Sequence, residues 1–554
     1  MRRAIANDDS TLRCATPRSA SRSLALLCSC ALALLVGCAK DEAAVPHPEL
    51  IGQSITHLQA AIESGDTSSE ALVQAYLARI ETLDKNGPRL GSVIATNPDA
   101  LEQARTLDRE RKEGRLRGPL HGIPILIKDN IETADPMPTT AGSLALADNV
   151  TNRDAPLVAN LRAAGAIILG KANLSEWANF RSEHSVSGWS AIGGFTKNPH
   201  VLDRSPCGSS SGSAVAVAAG LVAASIGTET DGSITCPASM NGIVGLKPTV
   251  GLLSAQHIVP IAHSQDTAGP MGITVRDVAI VLDAMVGSEA ACEPPAQNCR
   301  RGDYLGALSH DALAGKRIGV LRFEHPRQPQ IAPVYEKALR QLRDAGATLI
   351  DLKEPEMGPI YEAEDRVLHV EFKAHLNEYL ATLPDTVSHR TLADLIEFNR
   401  NESRELAWFG QEIFVKANAT AGLDDPEYRQ ALETAKRRAG TEGIDRMLAE
   451  NKLDFIVAPT TGTAWRIDLI NGDHFPGFFS TLPAASGYPH LTVPMGEVQG
   501  LPLGLSFIGP AWSEDRLLAA GFAFEHLTGV SIHPKFVPSL EAAADASAAQ
   551  KGRR

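Results

Sequence analysis

The chain has 554 residues, of which 44% are hydrophobic and 21% charged, and its formal net charge is −13. That length accommodates one large α/β domain or two, and the composition is that of a soluble globular enzyme. The acidic balance argues against nucleic acid as a partner. No CxxC and no His/Cys cluster with ligand spacing occurs, so neither a metal nor any other cofactor is expected.

The first segment reads as a targeting leader. Arg13, Arg18 and Arg22 precede an apolar run over residues 24–36, the length of a signal-peptide core and too short to span a bilayer comfortably. It ends Leu35-Val36-Gly37-Cys38, which resembles a bacterial lipobox. The resemblance implies cleavage after residue 37 and lipidation of Cys38. Several acyl chains on one cysteine anchor stably, where a single chain is marginal. Ala39 after the cysteine resembles an outer-membrane address, so the expected location is the bacterial envelope, on its periplasmic face. The alternative is an ordinary signal peptide with a chance cysteine. Residues 38–50 read as a tether.

Helical periodicity runs over residues 54–83, with Leu58, Ile62, Leu72, Tyr76 and Ile80 on recurrent faces. Thr67-Ser68-Ser69-Glu70 supplies a helix start within it. Residues 92–95 read as a strand and 101–113 as a charged, solvated helix. Residues 121–130 read as a buried strand: Ile123, Ile125 and Ile127 are β-branched, and Lys128 emerges at its end. A helix over 156–164 and a strand over 166–169 follow. Residues 173–180 read as another helix, and 186–194 as a loop that could wall a substrate. This alternation predicts an α/β fold with a largely buried mixed or parallel sheet. Further strands are expected at 317–321, 347–352, 455–458 and 491–493, with a helix at 334–345. Residues 361–450 read as a charged helical cap over the sheet, without obvious chemistry. Residues 538–554 read as a flexible tail.

Residues 207–247 carry the chemistry. A Ser/Gly loop, 208–213, runs into an Ala-rich apolar stretch, 214–225, and a second loop ends Asp231-Gly232-Ser233. A flexible linker is excluded, because helix-compatible residues pin one side of the loop. A phosphate loop would end Gly-Lys-Ser/Thr, and no lysine follows Gly212. A nucleophile elbow centred on Ser210 would need a strand before it. Asn198-Pro199-His200 through Ser205-Pro206 is poor strand material.

What remains is two serines, Ser209 and Ser233, on loops at either end of one apolar segment, with Lys128 upstream. Together with HGIPILIKDN from His121, FSTLPAASGYPHLTVPMG from Phe479 and GLPLGLSFIG from Gly500, these residues resemble the amidase signature family. The resemblance covers roughly residues 50–530. It implies one large domain over residues 51–537, with a central mixed β-sheet surrounded by helices. It also implies a serine amidase that cleaves linear carboxamide C–N bonds through an acyl-enzyme. In that scheme Ser233 attacks, and Ser209 relays the proton to Lys128. The Gly208–Ser209 peptide bond is cis, and the N–H groups of Thr230, Asp231, Gly232 and Ser233 form the oxyanion hole. The chemistry is sound: a serine hydroxyl needs a base. Burial can lower a lysine from about 10.4 by up to about 3–5 units. His121 and His490 lie in the motif segments but read as structural.

Three positions depart from the family pattern. Asp231 stands where Gly is common, Glu229 where Asp is common, and Thr235 where Arg is frequent. GTETDGSITCPA, EFKAHLNEYL and FNRNESRELAWFGQEIF resemble a peptide-amidase-like branch, which implies C-terminal peptide amides or amino-acid amides as substrates, with ammonia released. The alternatives are a broad aliphatic, aryl or fatty-acyl amidase or esterase, and a lipid-anchored binding protein with a dead site. A role in tRNA-dependent amidation is disfavoured by the export signal. Cys292 and Cys299 flank Glu293-Pro294-Pro295 and are expected to pair in an oxidising compartment. Cys207 and Cys236, beside the serines, are either paired or free. The oligomeric state is not legible.

Overall fold

Near-continuous apolar runs, rather than alternating ones, mark strands covered on both faces. Ile125, Leu126, Ile127, Ile167 and Ile168 are all fully buried. The computed structural model describes residues 48–287, 301–322, 329–477 and 479–542. The leader, Cys38, most of the tether, Cys292, Cys299 and most of the tail lie outside the described residues.

In chain order the strands are β1 (Val93–Thr96), β2 (Pro124–Lys128), β3 (Ile167–Ala172), β4 (Trp189–Ser190), β5 (Gly194–Phe195), β6 (Ala224–Glu229), β7 (Val244–Lys247), β8 (Thr267–Gly272), β9 (Arg317–Val320), β10 (Thr348–Asp351), β11 (Phe455–Pro459), β12 (His490–Val498) and β13 (Leu501–Ile508). β4 and β5 make a small ribbon. The others form one eleven-stranded sheet, ordered β1-β3-β2-β6-β8-β7-β12-β13-β11-β9-β10. β3, β2 and β6 are mutually parallel, as are β11, β9 and β10; the strands between pair antiparallel. With helices around it this is a single α/β fold built on a large mixed sheet, as expected. No helix among the described residues is long and apolar enough to cross a membrane.

Local chemistry sets the boundaries. The helical stretch predicted over 54–83 divides into Ile55–Ser64 and Ser69–Arg79, because Gly65 turns left-handed at φ 81° and the Ser68 hydroxyl caps the second helix by accepting from the Ala71 N–H. The apolar run after the first serine loop is not one element. Helix Ser211–Ala218 ends before Gly220, and the chain re-enters the sheet as β6.

The helix predicted over 173–180 shrinks to a single turn, Glu176–Asn179, in which Trp177 and Ala178 are left-handed. Tertiary hydrogen bonds outcompete helix formation here. The Ser175 N–H donates to the Ser209 carbonyl, Trp177 N–H to Ala141, and Asn173 N–H to Ser92. Within the predicted helical cap, 361–450, the chain leaves helix after Asn401 and resumes it only at Glu412. Glu405 is fully buried, and its carboxylate accepts from the Ser143 hydroxyl and the Leu144 N–H.

Glu405 also belongs to a buried ion cluster. Arg181 is fully enclosed, with Nη1 2.8 Å from Glu176 Oε1 and 3.2 Å from Glu405 Oε2. Its guanidinium carbon lies 4.3 Å from the centre of the Phe409 ring. Burial, then the competing charge of Glu405, pushes the Glu176 carboxyl well above the usual range, against the pull of Arg181. Arg181→Met leaves buried carboxyl groups without their cation and is expected to cost about 3–5 kcal/mol of stability. Denaturant unfolding measures this; an unchanged midpoint would contradict the ion-cluster account.

Candidate active site

Lys128 is the last residue of β2, and the parallel register with β6, Ile127 opposite Ile226, brings its ammonium-bearing end against Thr228. Its Nζ lies 2.8 Å from Ser209 Oγ, 2.8 Å from Thr228 Oγ1 and 3.1 Å from the Thr228 carbonyl. The side chain is fully buried, and desolvation brings its pKa down to about 7, against the opposing pull of Asp266 and Glu229. Lys171 and Lys247 are equally buried and are both lowered to about 8, again by desolvation. Neither touches a serine: Lys171 donates to the Ile131 carbonyl and the Thr139 hydroxyl, Lys247 to the Pro248 carbonyl.

The Ser/Gly loop is held from several sides. The Gly208–Ser209 peptide bond is cis. A side chain at Gly208 would meet Ser175 Oγ at 2.1 Å, so only glycine fits. The Ser210 hydroxyl donates to the Thr228 carbonyl and accepts from the Thr228 N–H, and the Ser210 N–H donates to the Ser233 carbonyl. These bonds join the two serine loops. The Ser210 hydroxyl is thereby engaged with the Thr228 backbone.

The second loop turns at Gly232, φ 78°. Glu229 fixes its far side: one carboxylate oxygen accepts from the N–H groups of Ile234 and Thr235 at 2.7 and 2.9 Å. The N–H groups of Asp231, Gly232 and Ser233 donate to no protein acceptor among the described residues. Beside them lies an open cavity of about 400 Å³, lined by Ser233, Thr230, Asp231, Cys207, Trp465 and Phe475 among others. Three of the predicted oxyanion residues, 230, 231 and 233, thus line one cavity, while Lys128 and Ser209 are packed behind it.

Cys207 and Cys236 form a disulfide, which answers the question left open by the sequence. It ties the residue before Gly208 to the helix that follows Ser233. Closing a loop of this length contributes about 2–4 kcal/mol. Unfolding of the Cys207→Ala/Cys236→Ala variant, compared with wild type, is expected to show a loss of this size together with lower activity. Equal stability would mean that the crosslink constrains nothing.

Several site residues were missed in the sequence. Thr228 orients Lys128, and the Asn130 side-chain amide donates to Thr228 Oγ1 at 3.0 Å. Asp266 accepts from Thr230 Oγ1 at 2.5 Å and from the N–H groups of Ile261 and Ala262. The helical block at 361–450, read as lacking chemistry, sends Glu364 to the back of the second loop. Only the position of Thr228 in GTETDGS, just before the serine loop, offered a signal. His121 and His490 are structural, as expected. The His490 ring is 2.6 Å from Ser506 Oγ, and burial lowers it to about 3. The His121 ring is 2.9 Å from the Leu107 carbonyl. No group of three His, Cys, Asp or Glu side chains among the described residues is placed to hold a metal ion.

A sheet that delivers a neutralisable lysine to a serine loop behind an open cavity belongs to a hydrolytic enzyme. The family described as Amidase matches residues 71–518, and the chain belongs to this amidase-signature family of amide-hydrolysing enzymes. The native peptide amidase from Stenotrophomonas maltophilia is 52% identical, with a TM-score of 0.83, covering 87% of this chain and 98% of that one. An amidase family protein from Bacillus anthracis is 36% identical, with a TM-score of 0.81, covering 90% and 96%. A probable amidase of Arabidopsis thaliana is 41% identical over 92% of this chain and 97% of its own length.

Proposed function

We propose that the enzyme hydrolyses the terminal carboxamide of C-terminally amidated peptides or amino-acid amides, releasing ammonia, with Ser233 as nucleophile, Ser209 as proton relay and Lys128 as base. The observation that carries this reading is the contact of Lys128 with Ser209. Neutral Lys128 has two N–H bonds and one lone pair. Thr228 offers two acceptors, its carbonyl and its hydroxyl, which leaves the lone pair for the Ser209 O–H. Ser209 then gives its proton to Lys128 as it takes one from Ser233. The Ser233 oxygen attacks the amide carbon, and the free N–H groups of the Thr230–Ser233 loop receive the developing oxyanion. The proton returns through Ser209 to the departing nitrogen, and water repeats the path to free the acid.

The choice of substrate rests on the likeness to the peptide amidase and on the cavity. That cavity is large enough for a short peptide and carries Trp465, Phe475, Leu368 and Ile261 to receive its side chains. Residues 1–37 are proposed as an export leader and Cys38 as a lipid anchor, which the buried Cys207–Cys236 disulfide supports, since such bonds persist in oxidising compartments. Ammonia release from a dipeptide amide tests the substrate reading, with fatty-acyl amides, anilides and esters run in parallel. Release from the dipeptide amide alone supports it. Turnover of the other substrates alone would replace it with a broad acyl amidase or esterase.

A further inference from the structure

Asp231, the departure from the family's common glycine, does not simply present its charge to the cavity. One of its oxygens accepts from the Ser480 hydroxyl, and the other accepts from Thr481 Oγ1 at 2.7 Å. Against the same carboxylate, within hydrogen-bonding contact, lies the carboxyl group of Glu364 from helix Gly358–Ala381. Glu364 is 6% exposed, and its Oε1 accepts from Gln265 Nε2 at 2.8 Å. The same Gln265 nitrogen reaches the Thr230 carbonyl at 3.3 Å.

Two buried carboxylates in contact cannot both be ionised. Both Asp231 oxygens receive hydroxyl donors and Glu364 Oε1 receives an amide donor. The proton between them therefore belongs on Glu364 Oε2, donated to Asp231. The charges facing this pair are Glu229 from β6, Lys247 from β7, and Tyr361 and Asp365 from the helix of Glu364 itself. Residues 480–486 face it with hydroxyls and no titratable group. The network clamps the loop at Asp231: Gln265 holds the Thr230 carbonyl, while Ser480, Thr481 and Glu364 hold the side chain.

We propose that Asp231 and Glu364 work as one unit sharing a single proton, and that this unit aims the Thr230–Ser233 N–H groups at the reacting carbonyl oxygen. Glu364 is then a positioning residue, drawn from a helix far from the nucleophile in sequence. The proposal rests on Ser233 as nucleophile but not on the peptide-amide substrate.

The test is the rate at which a fluorophosphonate labels the enzyme, since its phosphoryl oxygen needs the same donors. Wild type, E364Q, E364A and D231N are compared from neutral to alkaline pH, and ammonia release from a dipeptide amide by wild type is measured separately. E364A is expected to label roughly tenfold or more slowly, part of the about 10²–10³ carried by an oxyanion donor. E364Q is expected to recover most of that rate, because its amide N–H donates to Asp231 as the acid does. Wild type is expected to slow at alkaline pH as the shared proton leaves. E364Q and D231N, which cannot place two charges in contact, are expected to lack that decline.

E364A labelling at the wild-type rate would overturn the proposal. So would an E364Q profile superimposable on wild type, and this second result decides the matter if E364A fails to fold. Labelling of wild type without ammonia release would reject the substrate reading and leave the acid pair standing. Absence of labelling in wild type would overturn both.

Discussion

Ser233→Ala is expected to lower amide turnover by roughly 10⁶-fold, the scale on which removing a serine nucleophile disables a hydrolase. The fold should be untouched. The Ser233 hydroxyl makes no hydrogen bond to protein among the described residues, and the carbonyl that accepts from Ser210 is backbone and survives the substitution. A stability change within about 1 kcal/mol is expected, as for a substitution that opens no enclosed void and removes no hydrogen bond to protein. Ammonia release and thermal unfolding of the same preparation check both halves. Residual turnover within about a hundredfold of wild type would move the nucleophile elsewhere. Ser210 would be a poor choice, since its hydroxyl donates to the Thr228 carbonyl and accepts from the Thr228 N–H.

Lys128→Met is expected to reduce kcat/KM by about 10²–10⁴-fold, the usual contribution of a positioned proton-transfer group. The methionine fills most of the same buried volume, so the loss reports the amine and not a void. As the proposed base Lys128 works in its neutral form, and burial brings its pKa to about 7. Wild-type kcat/KM should therefore climb as pH rises through about 7 and fall away below it, and Lys128→Met should lose this dependence.

The same shift has a sign for stability. The folded state binds the Lys128 proton less tightly than the unfolded chain does, so between about 7 and 10.5 the unfolded state holds more protons and stability rises with pH. At neutral pH the buried lysine is thus a liability. Lys128→Met should unfold at higher temperature than wild type while being far less active. A variant both inactive and less stable would show that Lys128 is part of the scaffold rather than its chemistry.

The meeting of Lys128 with Ser209 was legible because each sits in a short motif with few alternative meanings. The β-branched run before Lys128 fixed a buried strand, and the loop-to-helix step after Ser209 fixed a helix start. The partners of those residues were not legible. Thr228 meets Lys128 through the parallel register of β2 on β6, a pairing that no local pattern encodes. Glu364 and Gln265 reach the second loop only because helix and sheet pack together. The left-handed turn at Trp177 and Ala178 was misread as helix, because its determinants are acceptors at Ala141, Ser92 and Ser209, contributed by other segments. Cys207 and Cys236 could be seen flanking the serines, but their pairing needed the two loops side by side.

The proposed bond-making groups, from Lys128 to Ser233, come from one continuous stretch of about a hundred residues. The cavity beside them is walled in part by that same stretch, from Ala178 to Ser187, and in part by Leu368, Trp465 and Phe475 from segments much later in the chain. One side of the cavity is therefore encoded apart from the proposed bond-making groups, and the other side together with them. Exchanges in the later segments can reshape that side of the cavity without touching Lys128, Ser209 or Ser233.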